Sequence, residues 1–173
     1  VKRHSKLLIG VNHTIDEKIA SAHSMYEEAG RILLTNPIIA TYLQEYQNTI
    51  TTSWLVMEKT GVVAICTDCA VNTGGSCCAQ GIENRFDATL LLINLLLGRS
   101  LPASPLDPTC CRFLGEKGCL LIARQTICVN YLCKRLQDEL SRDQLLAVME
   151  TNERECDLNF RLEEALKACL FHI

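Results

Sequence analysis

Cysteine is the residue whose number and spacing in this chain could do chemistry. Nine of the 11 cysteines fall in two short windows, Cys66, Cys69, Cys77 and Cys78 in the first and Cys110, Cys111, Cys119, Cys128 and Cys133 in the second. Thiolates are soft ligands, and a zinc ion or an iron-sulfur cluster needs about four of them on segments that can close around it. Cys111, Cys119, Cys128 and Cys133 are separated by seven, eight and four residues, so the chain can loop back between ligands. Cys66-x-x-Cys69 is a short chelating bite in which one turn supplies two sulfurs. Charge points the same way. From Cys110 to Arg135 the charged residues are Arg112, Lys117, Arg124, Lys134 and Arg135 against Glu116 alone. Nearby cations depress thiol pKa values and stabilise the negative charge of a four-thiolate centre, and Arg124 is expected to be such a charge partner.

The segment Cys111-x-Phe113-Leu114-x-x-x-Gly118-Cys119-Leu120-Leu121-x-x-Arg124-x-x-x-Cys128-x-x-x-x-Cys133, preceded by Cys66-x-x-Cys69 and Cys77-Cys78, resembles the YkgJ-type family of cysteine-cluster proteins. The resemblance covers residues 66 to 133 and implies a zinc- or iron-chelating domain, with an iron-sulfur cluster in some members. The chain departs from the family pattern at Gln125, where proline tends to follow the arginine, and at Val129, where arginine is usual. Seven residues also separate Cys69 from Cys77, where the family is tighter.

The expected cofactor-binding set is Cys66, Cys69, Cys77, Cys78, Cys111, Cys119, Cys128 and Cys133, with the last four as prime ligands. Cys77 and Cys78 are adjacent and cannot easily both face one ion on a helix, so the direct metal ligands are expected to be Cys66, Cys69, Cys78, Cys111, Cys119, Cys128 and Cys133. Cys110 beside Cys111 raises the same problem. One site and two sites both fit this count. Cys156 and Cys169 lie outside the windows and are expected to pack in the core. The histidines His4, His13, His23 and His172 are scattered and none stands in a window. There is no His-Glu-x-x-His, no Glu-x-x-His pair and no phosphate-binding glycine loop, so no catalytic residue can be nominated.

The elements that must position these thiols read as helices. Ile15, Ile19, Ala22, Tyr26, Ala29 and Leu33 form one stripe, which predicts an amphipathic helix from about Asn12 to Thr35 with Asn12 or Thr14 as its cap. Asn36-Pro37 predicts a second start, with Ile39, Leu43, Tyr46, Ile50, Trp54 and Met57 on its apolar face and Gly61 as its stop. Gly61 to Ser76 is expected to be the first cysteine loop, turned by Gly74-Gly75. A third helix is expected from Cys78 to Leu97, around the run Leu90 to Leu97 that only Asn94 interrupts. Pro102, Pro105 and Pro108 mark a connecting loop before the second cysteine loop. Short helices are then expected over Leu132 to Leu140 and Asp143 to Met149, and a last one over Thr151 to Leu170. Residues 1 to 11 are a basic lead-in.

The fold class expected is therefore mainly α: a helical bundle over residues 1–173, with cysteine-rich metal-binding loops at one end (residues 61–81 and 108–135). The apolar run at Leu90 is far shorter than the roughly 20 residues of a membrane span, and a net charge of −3 offers nothing to nucleic acid. An odd cysteine count, long helical patterns and no visible secretory signal favour metal binding in a reducing compartment, the cytoplasm, over disulfides. The expected function is binding of an iron-sulfur cluster of the 4Fe-4S type, with a redox, electron-transfer or sensing role. The alternatives are a structural zinc protein acting as an interaction module and a cluster-bearing enzyme module.

Overall fold

The computed structural model describes residues 12–72, 77–116 and 118–172, so the basic lead-in, Gly74-Gly75 and Lys117 lie outside the described residues. The described chain is mainly helical. Helix α1 spans Ile15–Thr35, α2 Pro37–Thr60, α3 Val62–Asn72, α4 Ala88–Leu96, α5 Thr126–Asn130, α6 Lys134–Glu139 and α7 Arg142–His172. A two-stranded hairpin, β1 (Leu114–Gly115) and β2 (Gly118–Cys119), pairs Leu114 with Cys119. Among the described residues no helix is long and apolar enough to cross a membrane.

The two N-terminal helices form where their caps and stripes place them. The Thr14 hydroxyl accepts from the Glu17 backbone N–H while the Glu17 carboxylate accepts from the Thr14 N–H at 2.7 Å, a reciprocal cap that satisfies two otherwise orphaned donors. Asn36 caps α2, its Oδ1 accepting from the N–H groups of Ile38 and Ile39 at 3.0 and 3.2 Å. The same residue's N–H closes the last turn of α1, so one side chain and one peptide make the corner between two helices. Asn36→Ala should lower unfolding stability by about 1 kcal/mol, read as a fall in urea midpoint at unchanged slope. Asn36→Asp should recover most of it, and an alanine variant equal to the parent would remove the cap from the account. Along α1, Ile15, Ala22, Ala29 and Leu33 are buried as expected, but Met25 takes the interior place and Tyr26 is partly exposed.

Gly61 adopts φ +89° and ends α2, a conformation open to glycine without steric cost. The chain does not then become a loop. It starts α3 one residue later, and Cys66 and Cys69 stand on that helix rather than on the predicted coil. Val, Thr and Cys are modest helix formers, but Val62 is buried and Val63 and Ile65 pack with Met57, Leu136, Leu140 and Val148 in a second apolar core. Burial outweighs propensity there. The predicted third helix is also shorter than expected. Cys77 and Cys78 are not helical, a 3₁₀ turn covers Ile82–Arg85, and α4 begins at Ala88 behind the cap of Asp87, whose carboxylate accepts from the Leu90 N–H at 2.8 Å. Every residue of α4 is buried.

The C-terminal half holds the largest departure. Ser141 does cap a helix, accepting from the Gln144 N–H at 3.3 Å, but α7 then runs unbroken through Thr151 to His172. Its buried stripe is Val148, Asn152, Glu155, Asn159, Leu162 and Leu166, spaced four, three, four, three and four. Three of the six are polar, so apolar periodicity broke the helix where its polar interior begins. This stripe packs mainly on α2, while α1 lies against α4.

Candidate metal centre

Six separate pieces of chain bring the thiols together. Cys66 and Cys69, three residues apart on α3, share a helix face. Cys77 and Cys78 lie in the non-helical stretch before the 3₁₀ turn, and the Cys78 carbonyl accepts from the Cys111 N–H at 2.8 Å. Cys119 ends the hairpin, where Gly118 at φ +111° makes the turn possible. Cys128 is on α5, and Cys133 is the residue before α6. All eight cysteines of the expected set line one cavity of about 470 Å³, together with apolar groups that include Trp54, Phe86 and Phe113. Cys110 does not line it. Its backbone bridges to Ala79 and its sulfur lies 3.9 Å from the Thr109 hydroxyl, which makes it the spare of that pair. Cys77, by contrast, is no spare in position, for both it and Cys78 reach the cavity.

None of the eleven cysteines forms a disulfide. Burial raises the thiols lining the cavity: Cys66 to about 11, Cys128 to about 11, Cys111 to about 12, and Cys119 upward as well. Cys77 is raised chiefly because its hydrogen bond to Cys78 is spent in ionising it, and that bond correspondingly lowers Cys78. Desolvated thiols ionise only when positive charge enters among them, which is the condition a metal centre meets.

Of the described cations of the second window, Arg124 and Arg135 line the cavity, and Arg135 is paired there with Asp68 and Glu139. Arg112, half-buried, pairs with the exposed Asp16 at 2.5 Å, and Lys134 with Asp138, and neither cation lines the cavity. Lys117 is outside the described residues. Arg124 does line the cavity, but it is not a lone charge. Its Nη2 donates to both carboxylate oxygens of Glu155 at 3.1 and 3.3 Å, and its guanidinium carbon lies 5.1 Å from the ring centre of Trp54. Its Nε is buried with no hydrogen-bond partner among the described residues.

Two side chains that sequence reasoning passed over hold this arrangement. Asn94, fully buried within α4, accepts at Oδ1 from the N–H groups of Ile122 and Ala123 at 2.9 and 3.0 Å and donates from Nδ2 to the Ala123 carbonyl at 2.9 Å. It pins the non-helical segment that carries Arg124. Asn152 donates to the Val129 carbonyl at 2.7 Å and ties α5 to α7. The only sequence signal for either was a polar residue at an apolar position. Gln125, where the family resemblance expects proline, caps α5 and donates to the Arg85 carbonyl at 3.1 Å.

Cys156 and Cys169 are half-buried away from the cavity, Cys169 against Asn36. His13, His23 and His172 do not line the cavity. Among the described residues no three cysteine, histidine or carboxylate groups meet closely enough to enclose a single ion. Comparison with family models, curated proteins and solved structures returned no match for this chain.

Proposed function

We propose that this protein binds iron-sulfur clusters of the 4Fe-4S type in the thiol cavity and serves a redox role, as an electron carrier or sensor. One observation carries the reading: eight cysteines from six pieces of chain line a single cavity of about 470 Å³. The residues present fit such a group. The donors are soft sulfurs, the walls are largely apolar, and the Arg124 side chain brings positive charge to the lining. A bound cluster would supply one-electron redox capacity. The chain's own part is to ligate through its thiolates, exclude water with Phe86, Phe113 and Trp54, and offset negative charge with Arg124. On this reading the chain is a member of the YkgJ-type class and works where thiols stay reduced, in the cytoplasm.

The second reading is structural zinc, fastening α3 to the hairpin and α6. Zinc at bonds of about 2.3 Å in a tetrahedron draws its sulfurs to about 3.8 Å from one another, and no three candidate ligands among the described residues meet around one ion. A cluster interposes several irons and sulfides and so spans thiols that stand farther apart, which favours it. Protein purified without oxygen should be brown and contain iron and acid-labile sulfide in equal amounts. A colourless protein with stoichiometric zinc and no labile sulfide would establish the second reading instead.

A further inference from the structure

We propose that the cavity holds two distinct four-thiol centres, one on Cys78, Cys111, Cys119 and Cys128 and another on Cys66, Cys69, Cys77 and Cys133. This rests on the reading that the cavity binds metal, and it departs from the sequence grouping, which placed Cys133 with Cys111, Cys119 and Cys128.

The partition follows the packing. Cys111 is buried in the main core, and Cys78, Cys119 and Cys128 pack against that same core. Cys133 packs instead against the second core, beside Val63 and Ile65 of α3. An ion pair of 2.8 Å between Arg135 and Asp68 holds the start of α6 against the turn of α3 that lies between Cys66 and Cys69. The Cys78 carbonyl is bonded to the Cys111 N–H, and β2 sets Cys119 opposite Leu114. Electrostatic coupling runs mostly within the two groups: Cys66 is coupled to Cys77, Cys133 and Cys69, and Cys78 to Cys119, Cys111 and Cys128, with the Cys77–Cys78 hydrogen bond crossing between them. Cys128 also feels Cys77, as it must if the two groups abut.

The adjacent cysteines acquire a reason. On a helix, neighbours cannot face one ion together. Cys77 and Cys78 lie in a non-helical stretch with their side chains hydrogen-bonded to each other, so the pair stands where the two groups meet and each can serve a different centre. The two centres are then joined through a single peptide unit, close enough for their unpaired electrons to interact once both are reduced by an external reductant such as dithionite.

The test uses serine variants of the full chain, with iron and labile sulfide counted per protein. The parent should carry two clusters, about eight irons. Cys66→Ser/Cys69→Ser and Cys119→Ser/Cys128→Ser should each retain half. Adding Cys133→Ser to the first pair should remove nothing further, whereas adding Cys128→Ser should remove the rest. In the dithionite-reduced parent, electron paramagnetic resonance should show two interacting centres, and either pair of serines should leave one isolated signal. Loss of all metal from either double variant, or full retention in the Cys66→Ser/Cys69→Ser protein, would overturn the partition. Should a variant not fold, the parent decides alone: about four irons per chain defeats the proposal. Two zinc ions falling to one in each double variant would keep two centres and refute the cluster reading, and a parent with no metal at all would refute that reading first.

Discussion

Asn94→Leu should cost about 3 to 5 kcal/mol of unfolding stability, although leucine suits its surroundings on α4 better than asparagine does. The side chain is fully buried and closes two donors and an acceptor of the Ile122-Ala123 backbone. Leucine leaves those groups dehydrated and unpaired, at about 1–3 kcal/mol each, and recovers part of the cost as buried apolar area. A domain of ordinary stability has about 5–15 kcal/mol in hand, so the variant should be visibly weakened in urea. Ile93→Val on the same helix should lose only about 1 kcal/mol. On the proposed cluster reading, metal content should fall further than stability alone predicts, because the freed segment runs from Cys119 through Arg124 toward Cys128. A leucine variant within 1 kcal/mol of the parent would mean that Asn94 is not the clamp.

Glu155→Leu should be at least as damaging, about 3 to 5 kcal/mol, because it strands the Arg124 guanidinium in the interior. Arg124 is 8% exposed and Glu155 1%, so water cannot replace the lost partner. The double variant Arg124→Leu/Glu155→Leu should lie closer to the parent than Glu155→Leu does, since it removes both charges and their desolvation cost together. Strict additivity of the two single changes would show that the pair is not coupled. If the proposed cluster is bound, the same variants separate structure from redox tuning: Arg124→Leu should shift its reduction potential downward by removing positive charge, and an unchanged potential would confine Arg124 to holding α7. Arg124 was expected as the centre's counter-charge, and Glu155, 31 residues on, partly neutralises it.

Local chemistry made much of this protein legible. The Thr14 and Asn36 caps, the stripes of α1 and α2 and the glycine stop at Gly61 all depend on residues within a few positions of one another. The reading failed where local signals are weak or contrary: the expected third helix is shortened to Ala88–Leu96, α5 stands within the expected second cysteine loop, and two longer helices were misread. The Val62–Asn72 segment has poor helix propensity and forms because its apolar face meets a second core. The α7 helix hides its inward face because Asn152, Glu155 and Asn159 occupy interior positions, and two of them draw on distant groups, Asn152 on Val129 and Glu155 on Arg124, while Asn159 bonds Glu163 on the same helix.

The amino-acid sequence by itself determined which atoms can bind metal and which stretches turn into the long N-terminal helices, because ligand type, capping and periodicity are properties of neighbours in the chain. The tertiary structure alone decided that eight sulfurs share one cavity, that Cys110 stands aside, and that Cys133 sits with α3. Those outcomes depend on contacts such as Arg135 to Asp68 and Asn94 to Ala123. They form only when distant segments have already been packed together, and no local pattern specifies which segments those will be.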